Sequence, residues 1–339
     1  MASIRQVAEH AGVSTATVAR VLSGRITVSP ELSERVRRAV DELNYVPNDI
    51  ARSLSRGRTN MLGLLVSDIG NPFAAQVARG LEDEAARHDY QVLVGSSDFE
   101  LERETRLLDS FAAKTVDAVA LVSARGSTPA MARLARTGLP VVYIDRRPDG
   151  DTAAPLVRTD NETAARQAVG HLIELGHRDL AMISGPSWLP TASARLRGFR
   201  AACAEHGLTV RAECVREGHL GVDGGLRGMR DLLDLPERPT AVFSFNNLSA
   251  VGALQALRER GVVAPRDISL VTFDDMDLFP FVDPPITAIA QPAYEIGVEA
   301  GRSLLAMLSG AAVVPREVVL PTEFRIRSSC AEPPHREKV

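Results

Sequence analysis

The chain has 339 residues, 45% of them apolar and 24% charged, with a formal net charge of −4 at neutral pH. That length exceeds one ordinary core, and the balance is that of a folded globular protein, which excludes a disordered or fibrous chain. No apolar run reaches the ~18 residues a membrane span needs, the opening MASIRQVAEHAG has no secretory apolar segment, and Cys203, Cys214 and Cys330 have neither metal nor redox spacing, which fits a reducing cytoplasm.

In chain order, residues 4–44 read as three short helices. Ile4, Val7, Ala8 and Ala11 recur at helical spacing and Gly12 ends the run. Ser14 is a good N-cap for a helix from Thr15 to Leu22, whose inner face is Val18, Val21 and Leu22. After the loop Ser23–Ser29, Pro30 opens a third helix to about Leu43, with Leu32, Val36, Ala39, Val40 and Leu43 inward. Thr15, Ala16, Thr17 and Arg20 fall on the outer face of the second helix. In a helix-turn-helix, the start of that helix enters the major groove. Small side chains allow close approach there, and an Arg forks onto guanine. Residues 1–60 carry nine Arg against six Asp or Glu, whereas the remainder is net acidic, so a polyanion is expected at this end alone.

Asn48–Arg56 reads as a further short helix, and 57–60 as a linker. From Met61 the pattern changes to short apolar runs alternating with amphipathic helices. The runs are 61–67, 91–95, 117–123, 139–145, 179–184, 240–245 and 268–273. Runs of this kind are buried on both faces, as in parallel sheets, and this much βα sequence suits two lobes. Gly138, Gly176, Gly207 and Gly261 stand where left-handed helix C-caps belong.

The segments IRQVAEHAGVSTATVARVLSG, VSPELSERVRRAVDELNYVPNDIARSLSRGRTNMLGLLVSDIGNPF, VVYIDRR, ELGHRDLAMISGP, ARLRGFRAA, RPTAVFSFNN and APRDISLVTFDD closely resemble the lactose/galactose repressor (LacI/GalR) family, nearly end to end. The resemblance implies an N-terminal all-α helix-turn-helix head and an α/β two-lobed, periplasmic-binding-protein-like domain made of two parallel-sheet, Rossmann-like lobes. The expected plan is a head over 1–46, a hinge helix and linker over 47–60, a first lobe over 61–160 plus 292–322, a second lobe over 161–291, and a C-terminal segment and tail over 323–339. It implies base reading by Thr15, Ala16 and Arg20, beside Ser14 and Thr17. It also implies a hinge helix in the minor groove, where Leu54 wedges a base step, Ala51 permits close approach, and Asn48, Arg52 and Arg56 lie along the backbone. Ala19 and Ser23 depart from the family's usual Ser and Asn, both phosphate contacts.

Ligands of such lobes sit beyond the C-terminal ends of the parallel strands. Ser67 and Asp68 end the first run, Phe73 opens the next helix, Asp145 ends VVYID, Arg195 starts a helix, and Asn246 and Asp274 end later runs. These seven resemble the family's effector contacts, and carboxylates with Arg and Asn suit bonds to sugar hydroxyls. The expected ligand is a sugar or related polyol, with a nucleobase or nucleoside as the alternative. Asn246-Asn247, His219-Leu220 and Thr272 replace common family residues, and Trp188 or Phe73 would have to supply the missing aromatic surface. No catalytic, metal-binding or cofactor-binding residue is expected: there is no serine elbow, P-loop or dinucleotide loop, and His171 and His177 read as structural. A transport protein is the other alternative, disfavoured by the head and the missing secretory signal. The expected partners are double-stranded operator DNA, a small-molecule effector and a second copy, since two heads span a palindrome. The tail SSCAEPPHREKV has no heptads for a tetramer. No membrane partner is expected, and the expected location is cytoplasmic, at the bacterial nucleoid.

Overall fold

The computed structural model describes residues 2–23, 28–45, 58–123, 129–148, 154–218, 220–310 and 315–334. It divides into two compact units, 1–59 and 60–339. The expected hinge residues Asn48, Ala51, Arg52, Leu54 and Arg56, and His219, lie outside the described residues.

The first unit holds helices α1 (Ile4–Ala11), α2 (Thr15–Ser23) and α3 (Pro30–Glu42). Ser3 and Gln6 form a reciprocal capping box on α1, and Gly12 closes that helix with φ of 64°, a conformation that favours glycine. Ser29 caps α3, with Pro30 in its first turn. Val7, Ala8, Ala11, Val18, Val36 and Ala39 form the core.

The second unit contains two six-stranded sheets. The first has the order β11-β5-β4-β3-β1-β2, where β1 is Met61–Val66, β2 Gln91–Ser96, β3 Ala118–Leu121, β4 Val141–Ile144, β5 Leu156–Thr159 and β11 Glu317–Leu320. The second has the order β12-β10-β9-β8-β6-β7, where β6 is Leu180–Ser184, β7 Val215–Glu217, β8 Ala241–Ser244, β9 Ser269–Phe273, β10 Thr287–Ala290 and β12 Glu323–Arg325. Every pairing is parallel except β10 with β12. The seven apolar runs are all strands. One expectation needs correction. Gln91–Ser96 is an edge strand with partly exposed residues, not a strand buried on both faces. Five further strands of three or four residues, β5, β7, β10, β11 and β12, lie outside the apolar runs, and all but β10 carry charged residues. Within the expected C-terminal segment, β12 completes the second sheet, and Ser329 and Cys330 bond to Leu270 of β9. His177, read as structural, is buried between Thr240, Ser269 and the Ala331 carbonyl.

The chain passes between the two sheets three times, after β5, after β10 and after β11. Helix Asn161–Glu174 follows β5 of the first sheet yet packs on β8, β9, β10 and β12 of the second, whereas helix Ala293–Leu308 follows β10 and packs on β3, β4 and β5.

Glycines let the covering helices touch backbone to backbone. A Cβ on Gly252 would stand 1.9 Å from the Val222 carbonyl oxygen, and one on Gly225 1.9 Å from that of Ser249. Gly252→Ala should therefore force apart helices Val222–Leu233 and Asn247–Glu259, costing about 1–3 kcal/mol. Gly170→Ala, which meets nothing within 4 Å in helix Asn161–Glu174, should instead stabilise by about 0.5–1 kcal/mol. Urea unfolding of both variants checks the pair of opposite signs.

Candidate DNA-recognition face and interlobe ligand site

Burial of Val18 against α1 and α3 turns the other side of α2 outward, so that Thr15, Ala16, Ala19 and Arg20 are all exposed. The turn into α2 is tightly made. Arg35 donates to the Ala11 carbonyl at 2.5 Å, and Ser14 Oγ accepts from the Thr17 amide at 3.2 Å. The Ser14 and Thr17 hydroxyls also bond to each other at 2.9 Å. These two expected contact residues thus hold the helix start, while Thr15, Ala16 and Arg20 lie on the exposed face of α2.

In the second unit, Asp145 follows β4 and Asp274 follows β9, strands that hold the same place in their two sheets. Both have left-handed backbones, with φ of 67° and 63°, an uncommon state for a residue with a side chain. Arg146 is buried beside Asp145 and directs its donors to three strand ends: Nε to the Ser123 carbonyl at 2.6 Å, Nη1 to Asp145 Oδ2 at 2.9 Å and Nη2 to Ser67 Oγ at 2.5 Å. Burial pulls the Arg146 pKa down, against the pull of the Asp145 and Glu104 carboxylates. Asp145 Oδ1 is buried and accepts no hydrogen bond among the described residues.

Arg195 is likewise buried. Its Nε donates to Asn161 Oδ1 at 2.8 Å, and Nη1 donates to the Phe245 carbonyl at 2.8 Å and reaches Asp274 Oδ2 at 3.5 Å. The guanidinium lies 3.6 Å from the Phe273 ring centroid and 4.9 Å from that of Phe245. Burial pushes the Asp274 carboxyl up, opposed by Arg195 and by the Gln291 amide, which donates to it at 2.6 Å. The charge of Asp145 pushes the Asp274 carboxyl the same way as burial. Gln291 Oε1 in turn accepts from Thr159 Oγ1 at 2.6 Å. Thr159, Asn161 and Gln291 all stand at passages between the sheets.

Ser67, Asp145, Arg195 and Asp274 are thus brought into one polar cluster. The other three expected residues are engaged locally. Asp68 accepts from the Gly70 amide at 2.8 Å, Asn246 accepts from the Ser249 amide at 2.9 Å as a helix N-cap, and Phe73 packs on the first lobe's core. Asn247, noted as a departure, pairs with Asn71 of the other lobe at 3.2 Å. Sequence reading missed Arg146, although it directly follows a strand-end Asp, and Phe99, whose polar turn carries no periodic signal. A separate cavity of about 300 Å³ opens between β7 and helix Val222–Leu233, lined by Arg216, Glu217, Arg227 and Asp231 among others, and the expected ligand residues do not line it.

Removing one partner of a buried pair strands the other's charge. Arg195→Ala should therefore cost about 3–5 kcal/mol of stability. Adding Asp274→Leu to that variant should recover part of the loss, because the orphaned carboxylate goes with it. Urea denaturation of the single and double variants gives the comparison, and equal or greater loss in the double variant rules the pairing out.

Comparison with known proteins agrees with this geometry. Residues 3–48 match the model of bacterial regulatory proteins, lacI family, and residues 169–330 match that of a periplasmic binding protein-like domain. The chain is 36% identical over 328 residues to the HTH-type transcriptional repressor CytR of Escherichia coli (strain K12), covering 97% of this chain and 96% of that protein. Among solved structures it resembles a complex of the transcriptional regulator CelR with cellobiose, at 33% identity and a TM-score of 0.75, over 97% of this chain and 100% of the other. It also resembles a Lac repressor dimer bound to operator and the anti-inducer ONPF, at 26% identity and a TM-score of 0.86, over 97% and 99%. With an outward-facing recognition helix on a three-helix head, two parallel sheets joined by three passages, and near full-length similarity to such regulators, the chain belongs to the lacI family of bacterial regulatory proteins.

Proposed function

We propose that this protein is a transcriptional repressor that binds near-palindromic operator DNA as a homodimer, and that a small neutral molecule held between the lobes sets its affinity for DNA. The DNA half rests on the exposed face of α2, with Thr15 and Ala16 short enough for close approach and Arg20 able to fork onto a guanine. The relative whose structure holds operator DNA is a dimer, and a palindrome requires two heads. Asn48, Ala51, Arg52, Leu54 and Arg56 remain the proposed hinge contacts on the grounds of sequence resemblance. A DNA partner supports a location in the cytoplasm, at the nucleoid, and the protein acts by binding, without turnover.

The observation that carries the effector half is Asp145 Oδ1, a buried acceptor with no donor, at the strand position that mirrors Asp274. A buried carboxylate oxygen without a partner is costly, so a ligand hydroxyl or N–H that donates to it gains a charge-assisted bond. Each buried arginine is paired with an aspartate of its own lobe, which offsets its charge and favours a neutral ligand over a phosphate. An unphosphorylated sugar or polyol fits this set. The aromatic surfaces of Phe99, Trp188 and Phe245 favour a nucleoside as the second reading.

A gel-shift assay with operator DNA tests the first half. The logarithm of affinity should fall linearly with the logarithm of salt concentration as counterions are released, and Arg20→Ala should lose about 1–3 kcal/mol on the cognate site relative to a mutated one. Salt-insensitive binding by a monomer would overturn the reading.

Calorimetry tests the second half. Asp145→Asn should weaken sugar binding by roughly ten- to a hundred-fold, the equivalent of one charge-assisted bond, while operator binding without ligand persists. Unchanged ligand affinity would remove Asp145 from the site.

A further inference from the structure

Phe99 holds its position at a conformational cost. Both Asp98 and Phe99 have left-handed backbones, with φ of 50° and 60°, a state that is a true outlier for a bulky ring. The turn is held from every side. Ser96 Oγ donates to Asp98 Oδ1 at 2.6 Å and accepts from the Ile69 amide at 3.2 Å, Arg103 pairs with Asp98, and the Phe99 amide donates to the Ser67 carbonyl at 3.2 Å. Its result is to set the Phe99 ring on the indole of Trp188, which belongs to the other lobe. The centroids are 6.4 Å apart and the planes meet at 65°. The Arg146 guanidinium lies 6.0 Å from the Phe99 centroid, and Trp188 packs against Leu189, Ala192 and Phe245.

These contacts form an open circuit. It runs from Asp145 through Arg146, Phe99, Trp188, Phe245 and Arg195 to Asp274 and crosses between the lobes at Phe99 with Trp188; its two ends are linked by charge rather than by contact. One side is polar and one aromatic, as a sugar with hydroxyl edges and an apolar face requires. A ring sandwiched between Phe99 and Trp188 would need about 7–8 Å between them, two van der Waals contacts of ~3.5–4.0 Å. Their direct edge contact leaves no such gap, so the pair shuts the aromatic side of the circuit.

We propose that Phe99 and Trp188 are an aromatic latch between the lobes, and that it restricts the effector to a single sugar ring. The size limit rests on the sugar reading above; the latch itself does not. Trp188 is the one tryptophan in the chain, so its fluorescence reports the latch directly.

The variants are Phe99→Asn, which suits the left-handed backbone and removes the ring, and Phe99→Tyr, which keeps it. In the full-length protein without ligand, acrylamide should quench Trp188 emission more readily in Phe99→Asn than in wild type, and Phe99→Tyr should match wild type. Equal quenching in all three overturns the latch. Calorimetry with D-ribose, D-galactose, cellobiose and maltose then tests selection. Wild type should bind a monosaccharide and neither disaccharide. Phe99→Asn should bind that monosaccharide roughly three- to ten-fold more weakly, the equivalent of one aromatic contact, and should gain a disaccharide. A wild type that binds a disaccharide as tightly as a monosaccharide overturns the size limit. If wild type binds none of the four sugars, the sugar reading and the size limit both fail, while the quenching comparison still decides the latch.

Discussion

Burying the Arg195 guanidinium is the constraint around which the interlobe face is arranged. A charge in the interior costs several kcal/mol unless hydrogen bonds and an opposite charge compensate it. Here the partners come from stretches far apart in sequence: the Phe245 carbonyl after β8, Asp274 after β9, and Asn161 at the start of a helix that has just left the first sheet. Satisfying one cation therefore pins two strand ends to a passage between the lobes. Asp274 carries the linkage on, through Gln291 to Thr159, so that two passages are bonded to each other and to the same carboxylate. A ligand that competes for Asp274 changes bonds at both passages. That is a physical connection between occupancy and the relative setting of the lobes, of the kind a switch requires.

Backbone strain gathers on the same face. Asp98, Phe99, Asp145 and Asp274 all adopt left-handed backbones, and all four belong to, or directly support, the circuit of polar and aromatic groups. Elsewhere in the second unit the left-handed positions at Gly138, Gly176, Gly207 and Gly261 are occupied by glycine, where the conformation costs little, with Asn60 and Asp89 as exceptions. Side chains are mostly kept in the strained conformation where they point into a shared face, and mostly dispensed with where only a turn is needed.

Much of the fold was legible because it is written in local patterns. The three head helices, the seven strands on continuous apolar runs and the four glycine caps each follow from periodicity or from the chemistry of one residue. The other five strands were not legible. Leu156–Thr159, Val215–Glu217, Glu317–Leu320 and Glu323–Arg325 interrupt their apolar residues with charges, and with three or four residues apiece their place is set by neighbours distant in sequence. The site divides along the same line. Asp145 and Asp274 were visible as polar residues closing apolar runs. That Ser67 would be bound by Arg146 and that Phe99 would meet Trp188 depend on contacts spanning tens of residues, which no window of sequence contains. Asn246 shows a different ambiguity: a polar residue between a strand and a helix suits a cap and a ligand equally well, and its Oδ1 accepts from the Ser249 amide as a cap.

The interleaved passages have a consequence for synthesis. The head is complete once residue 45 has emerged, with its own core and caps. Neither sheet of the second unit is complete until β11 and β12 appear, because the edge strand of each comes from residues 317–325. Domains fold as units from the N-terminal end while the ribosome adds roughly 5–20 residues per second. The recognition helix is therefore assembled early, while the part that would respond to a ligand is still being made. For that interval each nascent chain carries a folded head while both sheets of its second unit still lack an edge strand.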